Sequence, residues 1–193
     1  MSKGNYKLIF EGAELTGKSS IMGRIYDFLE KKYNTNPKIL DGCHWFNSDV
    51  GIFGTKYGKD IIEKYVEMAE LMPERNIMFE KLHISDMVYH NLYKKQELDY
   101  SAIEERLLKL NTKIIFCSIE DDPKIFEKRL GDRLNLYNHY GRIAQKPSDY
   151  VEQQKKFREF ITKSKLPVLN VDLTTLPNER VVKEILTWIG ETQ

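Results

Sequence analysis

Short apolar runs alternate along the chain with longer segments whose apolar residues recur at helical spacing. The runs are typical of buried strands and occupy residues 8–10, 38–40, 76–79, 113–119 and 167–172. The helical patterns lie between and after them, at residues 21–32, 57–72, 82–93, 101–110, 122–134, 147–163 and 179–188. Strands that alternate with helices predict an α/β fold, with a mainly parallel five-stranded sheet covered by helices on both faces.

The junction between the first strand and the first helix carries a phosphate-binding motif. Gly12 follows the apolar run, and Gly17, Lys18 and Ser19 complete the spacing G-x-x-x-x-G-K-[ST] of the P-loop NTPases. The glycines let the loop turn its N–H groups toward a polyphosphate, and the next helix points its positive end at the anion. We expect Lys18 to reach the β- and γ-phosphates of ATP and Ser19 to bind Mg²⁺. The predicted ATP-binding residues, called the cradle below, are Gly12, Ala13, Glu14, Leu15, Thr16, Gly17, Lys18, Ser19 and Ser20.

Composition indicates how many domains to expect and which kinds of partner and compartment are compatible with the chain. A chain of 193 residues with 41% hydrophobic content suits one domain, residues 1–193. The formal net charge of +1 predicts neither a nucleic-acid polymer nor a membrane surface as partner. Cys43 and Cys117 are too few for a disulfide framework, and no apolar run approaches the ~20 residues of a membrane span. We therefore expect a cytoplasmic protein.

Acidic residues follow two of the predicted strands, where parallel sheets bind their ligands. Glu80 comes directly after the run at 76–79 and could hold Mg²⁺ or accept a proton from a hydroxyl nucleophile, although strand termini also carry ordinary solvated carboxylates. Asp41 follows the run at 38–40, and it is predicted both as a catalytic base and as a substrate-binding residue. The Asp41–Gly42 pair is equally typical of a simple turn.

Two arginines precede a segment without an apolar stripe. Arg129 and Arg133 lie four positions apart on one side of a helix, and Arg142 lies in the segment 135–146, which we predict to be a mobile lid. Fixed guanidinium groups stabilise the charge of a transferring phosphoryl group, so Arg129 and Arg133 are candidate catalytic residues. The alternative is a solvated helix face.

Three segments resemble the thymidylate kinase and deoxynucleoside kinase group of P-loop kinases. They are EGAELTGKSS, MFEKLHISDMVY and IEDDPKIFEKRLGDR. The resemblance implies that Glu80 lies near the metal or the reacting oxygen, that Lys81 and Ser85 bind the acceptor, and that Arg129 and Arg133 belong to a closing lid, with Arg133 also on the ATP phosphates. This chain departs from the group's usual pattern at Lys81, where an Arg is common, and at Leu15, where a Gly is common.

The acceptor of the phosphoryl group is left open by the residues. Lys81 and a basic lid favour a deoxynucleoside monophosphate such as dTMP, whereas Asp41 or Glu80 could serve as the base for a nucleoside 5′-hydroxyl. Trp45, Phe46 and Tyr57 could stack on the acceptor's base, although aromatic residues are as often part of a core.

Two further expectations concern the scaffold as a whole. The departures at Lys81 and Leu15 admit a non-catalytic nucleotide-binding module, because a changed contact can keep affinity and lose transition-state stabilisation. The resemblance also implies a homodimer that pairs through the helices at 57–72 and 82–93.

Overall fold

The computed structural model describes residues 4–47, 51–175 and 178–191, and its centre is one parallel sheet. The strands stand in the order β2-β3-β1-β4-β5. Their bounds are β1 Lys7–Glu11, β2 His44–Asn47, β3 Ile77–Glu80, β4 Lys113–Ser118 and β5 Val168–Asp172. Phe10 and Asn47 both pair with Glu80, so the carboxyl ends of β1, β2 and β3 meet at one edge. The predicted α/β fold with a parallel five-stranded sheet is confirmed.

Helices cover both faces of this sheet. They are α1 Lys18–Tyr33, α2 Gly58–Leu71, α3 His83–Lys94, α4 Ser101–Lys109, α5 Pro123–Leu136, α6 Pro147–Ile161 and α7 Glu179–Ile189. Strand residues alternate between two cores: Leu8 and Phe10 pack with α1 and α7, whereas Ile9 packs with α2, α3 and α4. No helix in these described ranges combines the length and apolar character that a bilayer crossing needs.

The second strand is not where the sequence pattern predicts it. Residues 38–40 form a turn in which Ile39 and Leu40 are exposed, and β2 is instead the aromatic segment His44–Asn47. Only the aromatic segment has apolar neighbours to pack on, since Phe46 stacks against Phe79 with ring centroids 5.9 Å apart. The prediction of a strand at 38–40 is therefore wrong, and this changes the position of Asp41.

The segment predicted as a lid is partly helical. Helix α5 continues to Leu136, and a short 3₁₀ helix spans Asn138–Arg142. Tyr140 of this turn is buried, and the backbone N–H of Gln145 donates to the hydroxyl of Tyr150 at 3.0 Å. These contacts attach the segment to α6.

Candidate functional site

The cradle has the backbone that its glycines predict. Gly12 and Gly17 have φ of +143° and +92°, and a Cβ on Gly12 would lie 2.2 Å from the carbonyl oxygen of Cys117. Lys18 is 5% exposed, and its Nζ donates to the carbonyls of Gly12 and Ala13 at 2.8 and 2.6 Å. The ammonium group is therefore held over the loop, at the N-terminus of α1, where an anion is favoured.

Ser19 and Glu80 meet beside the cradle. The Ser19 hydroxyl donates to Glu80 Oε1 at 2.6 Å. Glu80 is 7% exposed, and its second carboxylate oxygen, Oε2, has no hydrogen-bond partner among the described residues. A buried carboxylate oxygen without a partner is costly unless a ligand satisfies it. A hydroxyl and a carboxylate are ligands that Mg²⁺ prefers, so this pair fits the metal expected from the motif.

An ion pair joins the cradle to Lys81, the residue that follows Glu80. The Lys81 ammonium contacts the carboxylate of Glu14, which also accepts from the hydroxyl of Tyr89 at 3.2 Å. Burial by itself raises the pKa of Glu14, but the charges of Lys81 and Lys18 oppose it and bring the pKa to about 2. Glu14 is thus an anion at neutral pH, and it neutralises the cation that was expected to face the acceptor.

The two candidate catalytic arginines, both on α5, have different surroundings. Arg129 Nη1 donates to the carbonyl of Leu15 at 3.0 Å, whereas the guanidinium of Arg133 lies 5.0 Å from the ring centre of Tyr137 and 5.2 Å from that of Tyr140. Burial lowers the pKa of Arg129 from its ordinary value, with the carboxylates of Asp132 and Asp172 opposing the shift. Both arginines line the cleft in front of the cradle.

Ser85 faces away from the cleft, contrary to the substrate-binding role expected for it. It is fully buried, and its hydroxyl donates to the carboxylate of Glu11 at 2.5 Å. Glu11 also accepts from the backbone N–H of Leu82 at 2.9 Å, close to the start of α3. Ser85 therefore helps to anchor the segment that follows Glu80 and Lys81, and its predicted contact with the acceptor is not formed by this arrangement.

Asp41 lies at the side of the sheet where the strands begin, whereas the cradle lies where β1 ends. Because β2 begins after it, Asp41 precedes the amino end of that strand, where its carboxylate accepts from the Thr35 N–H and hydroxyl at 2.9 and 2.7 Å. These hydrogen bonds lower its pKa. The structure therefore corrects the prediction that Asp41 is a base or substrate-binding residue, and the simple-turn alternative describes it better.

The three aromatic candidates do not line the cleft. Trp45 and Phe46 are half-buried and pack with Tyr26 and Phe79, at centroid distances of 6.2 and 5.9 Å. Tyr57 is 58% exposed before the first turn of α2. The core alternative fits Trp45 and Phe46, while Asn47 at the end of β2 does line the cleft.

Three residues of the site are not predicted from the sequence: Gln153 and Asn47 carry no recognisable signal, and Glu11 carries a weak one. Gln153 of α6 is 2% exposed, and its Oε1 accepts from the backbone N–H of Glu14 in the cradle at 2.9 Å. Glu11 and Asn47 sit at strand ends among apolar residues. A polar residue inside an otherwise buried run was the available clue for Glu11, and Gln153 lies within a charged helix where nothing distinguishes it.

These residues open onto a cleft of about 820 Å³. Its lining contains six cationic side chains, Lys18, Lys81, Lys124, Lys128, Arg129 and Arg133, and three acidic ones, Glu14, Glu80 and Asp132. The cleft extends from the cradle to Thr174 and Thr175 after β5. Its size suits small-molecule ligands, and its excess of positive charge suits phosphorylated ones.

The fold is shared with solved structures of low sequence identity. The YorR protein of Bacillus subtilis, solved in complex with phosphorylated GDP, is similar with a TM-score of 0.67 and 18% identity over 94% of each chain. The deoxyadenosine kinase of M. mycoides, solved with dCMP and dCDP, is similar with a TM-score of 0.54 and 18% identity over 95% of this chain and 97% of that one. A proposed kinase of Chloroflexus aurantiacus has a TM-score of 0.53 and 13% identity over 98% and 96%.

At these identities the likeness shows the fold and not the activity. No protein-family model and no curated protein matches the sequence.

Proposed function

We propose that this protein is an ATP- and Mg²⁺-dependent phosphotransferase that acts on a small nucleotide, most favourably a deoxynucleoside monophosphate. The observation that carries the proposal is the contact of Ser19 with Glu80 beside the cradle, which leaves one buried carboxylate oxygen of Glu80 without a partner among the described residues. Hydroxyl and carboxylate oxygens of the kind that Mg²⁺ prefers thus lie next to a glycine-containing loop at a helix N-terminus, which supports a phosphate ligand with its metal. The nucleotides bound by the similar YorR protein and deoxyadenosine kinase support the same class of ligand.

The residues divide the work of phosphoryl transfer between them. Lys18 supplies an ammonium group to the donor phosphates, and Ser19 and Glu80 would hold Mg²⁺, which when bound neutralises charge on the phosphate oxygens. Arg133 supplies a guanidinium at the cleft wall for charge that develops during transfer. A monophosphate acceptor is favoured because the cationic side chains of the cleft outnumber its acidic ones.

A nucleoside acceptor is the second candidate, and one contact favours it. Lys81, which was expected to bind the acceptor's phosphate, is paired with Glu14, while Glu80 Oε2 is available to accept the proton of a 5′-hydroxyl. The two candidates predict different substrates and different effects of Lys81→Ala. This change should raise KM for a monophosphate acceptor and have little effect on KM for a nucleoside.

A panel of nucleosides and nucleoside monophosphates with labelled ATP and Mg²⁺ tests both candidates. Phosphorylation of a monophosphate supports the proposal, and phosphorylation of nucleosides alone moves it to the second candidate. Nucleotide binding without turnover of any acceptor would establish the non-catalytic module instead. Lys18→Met should abolish any genuine activity, and Lys59→Met, a change on the exposed first turn of α2, serves as the matched control.

The homodimer stays a prediction, and the exposed side chains of the two helices indicate which helix would form its interface. Helix α3 is largely buried within its own chain, and Tyr93 is its exposed large apolar side chain. Helix α2 presents Leu71, which is 83% exposed. We expect a dimer mass by light scattering at micromolar concentration, and Leu71→Lys should shift it toward the monomer if α2 forms the contact.

A further inference from the structure

Arg129 joins two loops that bound the cleft. Its Nη1 donates to the carbonyl of Leu15 in the cradle at 3.0 Å, and its Nη2 donates to the carbonyls of Leu173 and Thr174 after β5, the latter at 3.1 Å. The N–H groups of the guanidinium thus donate to backbone carbonyls that lie 44 to 114 positions away along the chain. Such a bridge needs a rigid, planar group that donates from two of its nitrogens, and the ammonium of a lysine is not such a group.

Leu15, whose carbonyl accepts from Arg129, has a backbone conformation that is unfavourable for a residue with a Cβ. Leu15 has φ of +66°, in the left-handed region where a Cβ is costly and Gly is preferred. Strain of this kind persists when neighbouring contacts stabilise the strained conformer. The hydrogen bond from Arg129 is made to the carbonyl of this same residue, so it can act directly on the orientation of the Leu15 peptide.

We propose that Arg129 is a positioning residue, which holds Leu15 in the left-handed conformation and thereby keeps the cradle in the shape that binds phosphate. The neighbouring cations do not share these contacts: Arg133 lies over aromatic rings, and Lys128 is exposed on the same helix. The consequence for nucleotide affinity rests on the proposed function, whereas the consequence for the shape of the cradle does not. A residue that acts on the nucleotide itself would affect binding without affecting the empty cradle.

Hydrogen exchange in the nucleotide-free protein tests the structural part. The amide to follow is that of Glu14, which donates to Gln153 Oε1 at 2.9 Å. Arg129→Gln should raise its exchange rate by about tenfold, because the open form of the loop becomes more populated. Arg129→Lys should raise it nearly as much, since the charge is kept but the bridge is lost. Lys128→Gln removes a positive charge from the same helix and should leave this amide unchanged. Unchanged exchange in both Arg129 variants would overturn the proposal.

A double-mutant cycle with Leu15→Gly tests the link to binding. We expect Arg129→Gln to weaken the binding of a non-hydrolysable ATP analogue roughly tenfold in the parent and less than about threefold in the Leu15→Gly background, because Gly adopts the left-handed conformation unaided. Equal losses in the two backgrounds would show a direct contact with the nucleotide and overturn the proposal. Should the parent not bind the analogue, the proposed function fails and hydrogen exchange still decides the role of Arg129. Arg129→Lys replaces the glutamine variant throughout if the latter does not fold.

Discussion

The buried pair of Glu14 and Lys81 allows a quantitative test of the site's electrostatics. The perturbation is Glu14→Gln, which keeps the size of the side chain and removes its charge. It leaves Lys81, 4% exposed, and Lys18, 5% exposed, without their principal counter-ion in the cleft. Breaking a buried pair on one side is costly because the remaining charge stays desolvated.

The size of the effect follows from the pKa of Glu14. The difference between its ordinary value of 4.5 and the folded value of about 2 corresponds to roughly 3 kcal/mol of stability at neutral pH. Because the folded pKa is the lower one, this contribution is complete above about pH 5 and is lost as the pH falls toward about 2. Glu14→Gln should therefore destabilise the protein by about 3 kcal/mol at pH 7 and by somewhat less than half of that at pH 3.

Urea unfolding without nucleotide at pH 7 and pH 3 measures both quantities. Glu159→Gln is the matched control, because Glu159 pairs with Lys156 and Lys163 at the exposed surface of α6 and should cost below about 0.5 kcal/mol. Adding Lys81→Met to Glu14→Gln should recover much of the lost stability, since no unpaired cation then remains at position 81. A loss below about 1 kcal/mol for Glu14→Gln at pH 7 would refute the assignment of a strongly stabilising pair.

Three further substitutions address the cradle and the lid. Gly12→Ala should prevent nucleotide binding, because its Cβ would lie 2.2 Å from the Cys117 carbonyl oxygen; calorimetry on the folded variant checks it. Lys18→Ala should weaken ATP binding and lower kcat together, because this ammonium faces the phosphates before and during transfer; binding and steady-state kinetics measured side by side would expose a change in one alone. Arg133→Ala should reduce kcat by roughly 10²- to 10⁴-fold with little change in ATP affinity, and a kcat within a few-fold of the parent would assign Arg133 to a solvated face.

The sequence predicts the elements whose local signals agree with their packing. The motif and its flanking patterns are sufficient to predict the cradle. Apolar runs are sufficient to predict β1, β3 and β4, because a parallel strand buried on both faces leaves such a run, and the partly exposed strand β5 keeps enough of one in Val168, Leu169 and Val171. The edge strand β2 was misplaced because it has no such run: its aromatic side chains pack on α2, β3 and α1, which are distant in sequence. A strand at 38–40 would place Asp41 at the carboxyl end of the strands, beside the cradle, whereas the observed β2 places it before the amino end of that strand.

The features of the site that the motif does not predict depend on contacts between residues that are distant in sequence. The spacing identifies Lys18 and Ser19, but it contains no information on Gln153, which accepts from the Glu14 amide across 139 positions. The charge of Lys81 is likewise visible in the sequence, whereas its neutralisation by Glu14 depends on a contact across 67 positions. The free positive charge at Lys81 is therefore smaller than the sequence alone indicates.

The two departures from the kinase pattern share a structural property that bears on catalysis. Leu15 and Lys81 both have left-handed backbones, with φ of +66° and +67°, and each makes a backbone hydrogen bond to another part of the chain: the Leu15 carbonyl accepts from Arg129, and the Lys81 N–H donates to the carbonyl of Phe10 at 3.0 Å. Strained conformers persist where surrounding contacts stabilise them, and they cluster at active sites and ligand clamps. The departures by themselves are thus no argument for a cradle that has lost its function, and the non-catalytic hypothesis has to be decided by turnover.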